Sequence, residues 1–212
     1  MTVIAKDKNL QIEKLSLGSF GTNTYTIICM ETMKSAVVDA PGEAEIIINK
    51  LKDTTPKYIL LTHNHMDHLG SLSELRTGLN APIAAHAADS NLPVKPDISL
   101  NAGDKLTLGK LTIEVLHTPG HTPGGLCFRV GKYLMSGDTI FNAGPGNTRS
   151  PEAFQQIVKS ITEKIFTLPD DTQIHPGHGV STTLKKEKEE YAVFASRKHD
   201  PGLYGDVLWL KS

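Results

Sequence analysis

Hydrophobic and polar positions alternate along this chain with two different periods. Leu10–Leu17 alternates apolar and polar residues with a period of two, which predicts a half-buried strand. Short apolar runs bounded by turn residues predict further strands. These runs cover residues 25–30, 36–39, 58–61, 83–85, 106–108, 111–116, 126–130, 133–135 and 172–174.

Apolar residues at helical spacing predict four helices. The predicted helices are one through Ile46, Ile47 and Leu51, one over 69–79, one through Phe154, Ile157, Ile161 and Ile165, and one over 184–194. The third begins with Ser150 as N-cap, Pro151 in the first position and Glu152 near the positive end of the dipole. Strands come first, helices lie between and after them, and the two parts look alike. This order predicts two packed sheets with helices outside.

A dense group of polar ligands follows the predicted strand over 58–61. The group consists of His63, His65, Asp67 and His68. Ligands and metals usually bind at strand ends in α/β sheets, and imidazole with carboxylate suits zinc, iron or manganese. The structural alternative is a His-rich polar turn. Because buried charges are normally paired or bound to metal, the spacing favours a metal site.

Three further residues of these types stand in turns after predicted strands. They are His121 after 111–116, Asp138 after 133–135 and His178 after 172–174. A lone His in a Pro-Gly turn is usually a surface residue, so each signal is weak by itself. Together with the first group they make seven ligands, more than one tetrahedral zinc ion takes. Seven ligands suit two metal ions that lie about 3.5–4 Å apart and share a carboxylate.

Composition narrows the class of protein. The net charge of -1 leaves no basic excess for binding nucleic acid. Cys29 and Cys127 lie in apolar runs without Cys-x-x-Cys spacing, so we expect buried thiols and no disulfide. The N-terminus lacks the apolar region of a signal peptide, and no apolar run approaches membrane-spanning length. We therefore expect a cytoplasmic protein with neither nucleic-acid nor membrane partner.

The order of these motifs resembles the metallo-β-lactamase-fold superfamily. The resemblance runs from Asn23-Thr24-Tyr25 to His175-Pro176-Gly177-His178-Gly179. It implies an α+β fold, a four-layer αββα sandwich, with residues 1–212 as one domain. By match of motif, His63, His65 and His121 would hold a first metal, Asp67, His68 and His178 a second, and Asp138 would bridge them. Asp39 matches a strand-end Asp that orients a metal-bound His.

The resemblance also implies the chemistry. A hydroxide bridging two divalent metals, with zinc expected ahead of iron or manganese, would attack a thioester, ester or lactone carbonyl. Asp67 and Asp138 are the expected catalytic residues, and Asp67 would hold or shuttle the proton of the nucleophile. We expect a small-molecule thioester or ester as partner, and a monomer or homodimer.

Gly137-Asp138-Thr139-Ile140-Phe141 resembles the corresponding run of glyoxalase II, a thioesterase of this superfamily. Two departures stand out: the chain ends shortly after its last motif, where glyoxalase II has a helical domain, and Asn147 occupies the position of a basic residue that contacts glutathione. Arg149 either substitutes for that residue or is solvated. The alternatives are an iron-dependent persulfide dioxygenase, which uses two His and one Asp, and a nuclease. The full ligand set favours a hydrolase over the dioxygenase, and the near-neutral charge disfavours a nuclease.

Four histidines stand outside this set. His86, His117, His175 and His199 are expected to be structural or surface residues, since a strand-end His can simply bond a backbone carbonyl.

Overall fold

A computed structural model describes residues 2–212 of the chain. The strands are β1 (Thr2–Lys6), β2 (Leu10–Leu17), β3 (Thr22–Cys29), β4 (Lys34–Val38), β5 (Thr55–Leu60), β6 (Ile83–His86), β7 (Ile98–Leu100), β8 (Lys105–Leu108), β9 (Leu111–His117), β10 (Leu126–Val130), β11 (Tyr133–Gly137), β12 (Ile140–Phe141), β13 (Gly144–Pro145), β14 (Gln173–Pro176) and β15 (Thr182–Thr183). The helices are α1 (Ala44–Leu51), α2 (Leu72–Leu79), α3 (Pro151–Ser160) and α4 (Leu184–Ala195). A 3-10 turn covers Met66–His68, and a π-helical segment over Ile161–Ile165 continues α3.

The strands form two large sheets and a small hairpin. The first sheet has the order β1-β2-β3-β4-β5-β6-β7, and the second β15-β14-β11-β10-β9-β8. Strands β4, β5, β6 and β7 pair in parallel, as do β11 and β14. The carboxyl ends of these parallel strands therefore place the loops that follow them at a shared edge of each sheet.

Three buried clusters define the layers. Ile12 and Tyr25 of the first sheet pack with Phe128 of the second, between the two sheets. Helices α1 and α2 cover the outer face of the first sheet, where Leu75 is fully buried. Helices α3 and α4 cover the second sheet around Trp209. The fold is thus an α+β, four-layer αββα sandwich, the architecture that the family resemblance implies.

Local sequence accounts for most element bounds. Ser150 Oγ accepts a hydrogen bond from the backbone N of Ala153 at 3.2 Å and caps α3, as predicted. Helix α2 begins at Leu72, three residues later than its apolar spacing predicts. The reason is a long-range contact, because the backbone just before α2 bonds to the turn after β4. Ala40 N donates to His68 O and Ser71 N donates to Ala40 O, both at 2.8 Å.

Cys29 and Cys127 are buried free thiols, as predicted. Within residues 2–212, none of the helices combines the length and the apolar character needed to cross a bilayer.

His175 on β14 couples the stability of the fold to pH. The residue is 3 % exposed, and its Nδ1 lies 2.7 Å from Ser181 Oγ. Burial, with a smaller effect of the Lys14 charge, lowers the pKa of His175 to about 4. A lowered pKa in the folded state means that the unfolded chain binds the proton first. The stability that neutral His175 contributes is therefore complete above the unfolded-state pKa of about 6.5 and is lost as the pH falls towards 4.

Replacing His175 with Asn keeps a polar group opposite Ser181 and removes the titration. We expect wild type to lose about 2–3 kcal/mol more unfolding free energy than the variant between pH 6.5 and 4. Urea unfolding of chelator-treated protein at several pH values measures this difference. Parallel curves for the two proteins would contradict the assignment.

Candidate metal centre

Loops from both sheets bring the predicted ligands to one place. His63 and His65 follow β5, His121 lies between β9 and β10, and Asp138 follows β11. His65 Nδ1 lies 3.1 Å from His63 Nε2 and 2.9 Å from His121 Nε2. Asp138 Oδ2 lies 3.5 Å from His121 Nε2 and 4.0 Å from His63 Nε2. These four side chains form the first donor group.

A second donor group lies beside the first. It consists of Asp67, His68 and His178. His178 Nε2 lies 3.3 Å from His68 Nε2 and 3.1 Å from Asp67 Oδ2. The structure thus brings together all seven residues that the sequence singled out as ligands, as groups of four and three.

Asp138 stands between the two groups. Its Oδ1 lies 3.5 Å from His68 Nε2, while its Oδ2 lies 3.5 Å from His121 Nε2 and 3.6 Å from His178 Nε2. The carboxylate therefore offers oxygen to both groups. This is the arrangement that a shared ligand between two ions requires.

The donor chemistry fits divalent cations. Imidazole nitrogens face one another at 2.9–3.3 Å, close to the roughly 3.3 Å between nitrogens around one tetrahedral ion. Burial, followed by the charges of the neighbouring imidazoles, lowers the pKa of His63 well below its usual value, so its ring is neutral at pH 7. Asp138 Oδ1 is buried and has no hydrogen-bond partner among residues 2–212. Neutral imidazoles and an unpaired carboxylate oxygen are the groups that a metal ion satisfies.

Asp39 fixes the orientation of His68. Asp39 Oδ2 lies 2.8 Å from His68 Nδ1, and Thr62 donates to the same carboxylate through its backbone N at 2.8 Å and its hydroxyl at 2.7 Å. Burial acts to lower the pKa of His68, but the carboxylates of Asp39, Asp138 and Asp67 together outweigh it, Asp39 most strongly, and the pKa rises to about 9. At that pKa Nε2 also carries a proton in the metal-free protein, so a metal ion bound at Nε2 would displace it, while the Asp39 carboxylate keeps the other proton on Nδ1. Asp39 itself has φ 63°, a strained value for a residue other than glycine.

The turn that carries His178 needs glycine at position 177. A Cβ on Gly177 would contact Asp138 Oδ1 and would lie 2.6 Å from His68 Cε1. The hydroxyl of Tyr25 and the amide of Asn23 both donate to Pro176 O, at 2.6 and 2.9 Å, and hold the end of β14. The backbone can therefore pass close to both donor groups.

Sequence reasoning missed several residues of the site. Thr22 Oγ1 donates to Asp67 Oδ2 at 3.0 Å, and no motif marks this threonine. A cavity of about 330 Å³ opens beside His121, Asp138 and His178. Its other lining residues are Phe141, Asn142, Gly144, Pro145, Gly146, Asn147, Asp206, Val207 and Leu208. Residues 206–208 lie far along the chain from the last motif, and their sequence carries no periodic or chemical signal.

The remaining histidines lie outside the two donor groups. His86 and His117 stack with ring centroids 3.9 Å apart, and His117 Nε2 lies 3.0 Å from Pro123 O. His199 stacks on Phe194 and its Nε2 lies 2.7 Å from the carbonyl of that residue. Each ring is thus engaged in packing or in a backbone hydrogen bond.

Curated relatives include hydrolases. The chain is 32% identical over 200 residues to "Probable metallo-hydrolase YqgX" of Bacillus subtilis, with 84% of this chain and 94% of the relative covered. It is 32% identical over 203 residues to "Hydroxyacylglutathione hydrolase GloC" of Haemophilus influenzae, with coverage of 84% and 95%.

Solved structures share the fold. BLEG-1 B3 metallo-beta-lactamase has a TM-score of 0.74 at 32% identity and covers 84% of this chain and 96% of its own. ETHE1 from Myxococcus xanthus has a TM-score of 0.76 at 26% identity, with coverage of 88% and 85%. TTHA1623 in a di-iron-bound form has a TM-score of 0.72 at 28% identity, with coverage of 83% and 96%.

The family model described as the metallo-beta-lactamase superfamily matches residues 18–178, which span both donor groups. This chain therefore belongs to the metallo-beta-lactamase superfamily.

Proposed function

We propose that the protein is a binuclear metal-dependent hydrolase that cleaves a thioester, ester or lactone, in the manner of glyoxalase II. The observation that carries the proposal is the Asp138 carboxylate, which lies 3.5 Å from a nitrogen of each donor group. Likeness to the hydroxyacylglutathione hydrolase of Haemophilus influenzae supports the thioester class.

The proposed ligand roles follow the two groups. His63, His65 and His121 would hold one ion, Asp67, His68 and His178 the other, and Asp138 both. Divalent ions held in this way would lower the pKa of bound water to about 7 and so supply hydroxide at neutral pH. Zinc is the metal we propose, with iron or manganese as alternatives, because the same ligands accept all three. Likeness to a protein solved in a di-iron-bound form supports the iron alternative.

Asp67 is the residue we propose to handle the proton of the attacking water. Burial acts to raise its pKa, but the charge of His68 and the Thr22 hydroxyl lower it, so the group is a carboxylate at neutral pH. Thr22 donates to Oδ2, which leaves Oδ1 to accept a hydrogen bond from the water. The water oxygen joins the acyl carbon, the bond to the leaving group breaks, and the proton passes by way of Asp67 Oδ1 to the leaving thiolate or alkoxide.

One alternative has an observation in its favour. Likeness to ETHE1 from Myxococcus xanthus fits a mononuclear iron persulfide dioxygenase, which would use two His and one Asp. The second donor group, Asp67, His68 and His178, favours the binuclear hydrolase over that reading. A nuclease finds no comparable support. We further propose that residues 1–212 work as one domain in the cytoplasm, on a small molecule, as a monomer or homodimer.

A substrate panel tests the proposal. We expect the purified protein to hydrolyse at least one of S-D-lactoylglutathione, a simple thioester and a lactone, and to take up no oxygen with glutathione persulfide. A chelator should abolish the hydrolysis, and added zinc should restore it. Oxygen uptake with the persulfide and no hydrolysis across the panel would overturn the proposal in favour of the dioxygenase.

A further inference from the structure

The chain returns to the site after α4. We call residues 200–212 the C-terminal strap. Trp209 anchors it: the indole is fully buried, and its ring centroid lies 5.1 Å from those of Tyr191 and Phe194. Trp209 N also donates to Ala143 O at 3.0 Å, which joins the strap to the loop after β12. The strap is therefore a fixed part of the fold where it passes the site.

Hydrogen bonds align the strap with the loop that follows Asp138. Thr148 N donates to Gly205 O at 3.3 Å, and Gly205 N donates to Thr148 Oγ1 at 3.2 Å. Next to this pair, Asn147 Nδ2 donates to Asp206 Oδ1 at 2.9 Å. These bonds hold the Asp206 carboxylate against the wall of the cavity beside the two donor groups.

The described side chains that line that cavity carry no positive charge outside the proposed ligands. Among residues 2–212, no Lys or Arg lines it, and Asp206 is the one charged lining side chain outside the proposed ligands. Lys186 donates to the lining residue Asn142 at 2.7 Å from behind the lining, and its charge is paired with Glu190 at 2.8 Å.

Arg149 instead lines a second cavity of about 540 Å³, together with Pro119 and Gln156, and His121 borders both cavities. Asn147, at the position where a basic residue would meet glutathione, donates to an acid. The anion-binding feature expected of a glutathione site is thus replaced by a negative charge.

We propose that Asp206 makes this site favour substrates with a cationic leaving group over substrates with an anionic one. The inference rests on the proposed hydrolase function and specifies its substrate class. The cavity adjoins His178 and Asp138, so a leaving group that extends from the reacting carbonyl into this cavity would pass Asp206. Because the carboxylate is exposed, solvent screens it, and each unit of charge should change kcat/KM about three- to fivefold.

Three acetyl thioesters that differ in the charge of the thiol provide the test. They are acetylthiocholine (cationic), S-acetyl-N-acetylcysteamine (neutral) and S-acetyl-3-mercaptopropionate (anionic). Each kcat/KM is divided by the rate of hydrolysis in alkaline solution, which removes differences in intrinsic reactivity. The comparison is then the cationic-to-anionic ratio in wild type and in Asp206→Asn, which can still accept from Asn147. The matched control is Asp200→Asn, which removes an exposed charge from the same strap outside the cavity lining.

We expect Asp206→Asn to lower the cationic-to-anionic ratio about tenfold at low salt, while Asp200→Asn leaves it unchanged. The difference between wild type and Asp206→Asn should shrink as ionic strength rises, because salt screens exposed charges. Equal ratios in wild type and Asp206→Asn, with all three thioesters hydrolysed, would overturn this inference and leave the hydrolase function standing. If the protein hydrolyses none of the three thioesters and none of the wider panel, both this inference and the proposed hydrolase function are overturned.

Discussion

Asp138→Ala is expected to lower hydrolysis by about 1,000-fold or more, because it removes several kcal/mol of transition-state stabilisation. Asp138 is the carboxylate with oxygen atoms within 3.6 Å of nitrogens in both donor groups, so one substitution weakens both proposed ion sites. The metal content of protein purified without chelator should fall in parallel. Steady-state kinetics and elemental analysis of the same preparation measure the two effects.

Two further variants separate this role from general damage to the fold. Asp138→Asn keeps the shape of the side chain and removes the charge, so it should lose activity nearly as completely as the alanine variant. Asp170→Ala removes a carboxylate that is 63% exposed and pairs with Lys188 at the surface, so its rate and metal load should match wild type. An Asp138→Ala protein with unchanged rate and metal load would contradict the bridging role.

Asp39→Asn is expected to weaken binding of one metal about 10- to 100-fold. Asparagine tolerates the left-handed backbone at this position, so the fold should persist. Its amide can donate where the carboxylate accepted, and His68 Nδ1, 2.8 Å from Asp39 Oδ2, then loses its acceptor. Without that acceptor the proton on Nδ1 is no longer fixed and the ring is no longer held in place, so Nε2 becomes a weaker metal ligand.

The measurement for Asp39→Asn is metal retention during dialysis against a weak chelator, followed by activity as zinc is added. If Asp39 acts through His68, excess zinc should restore most of the rate. A purely structural role would instead leave the variant with wild-type metal affinity, or with activity that zinc does not restore.

The sequence predicted the layers and the gathering of the ligands because both depend on local pattern. Apolar runs marked the strands, and each of His121, Asp138 and His178 follows a strand whose end lies at the same edge of the sandwich. Physical reasoning needed only the rule that strand ends collect ligands. The later start of α2 was not predictable, because the backbone of residues 68–71 bonds to a turn some 30 positions earlier.

The features that the sequence did not predict depend on contacts between residues far apart in the chain. Spacing alone could not pair Asp39 with His68, and only the family resemblance pointed to that role. The strap was missed for the same reason: Asp206 reaches the cavity because buried Trp209 and the bonds to Thr148 position it, and none of these is visible in a periodic pattern. Spacing likewise could not say whether Asn147 or Arg149 lies in the cavity beside Asp138. The structure places Asn147 in that cavity and Arg149 in the second cavity that borders His121.

The number of metal ions that hydrolysis requires decides whether the site is binuclear. Chelator-treated protein is titrated with zinc, and thioester hydrolysis is followed as metal is added. We expect the rate to rise until two ions are bound per chain. A rate of thioester hydrolysis that reaches its maximum when one zinc ion is bound per chain would contradict the binuclear proposal.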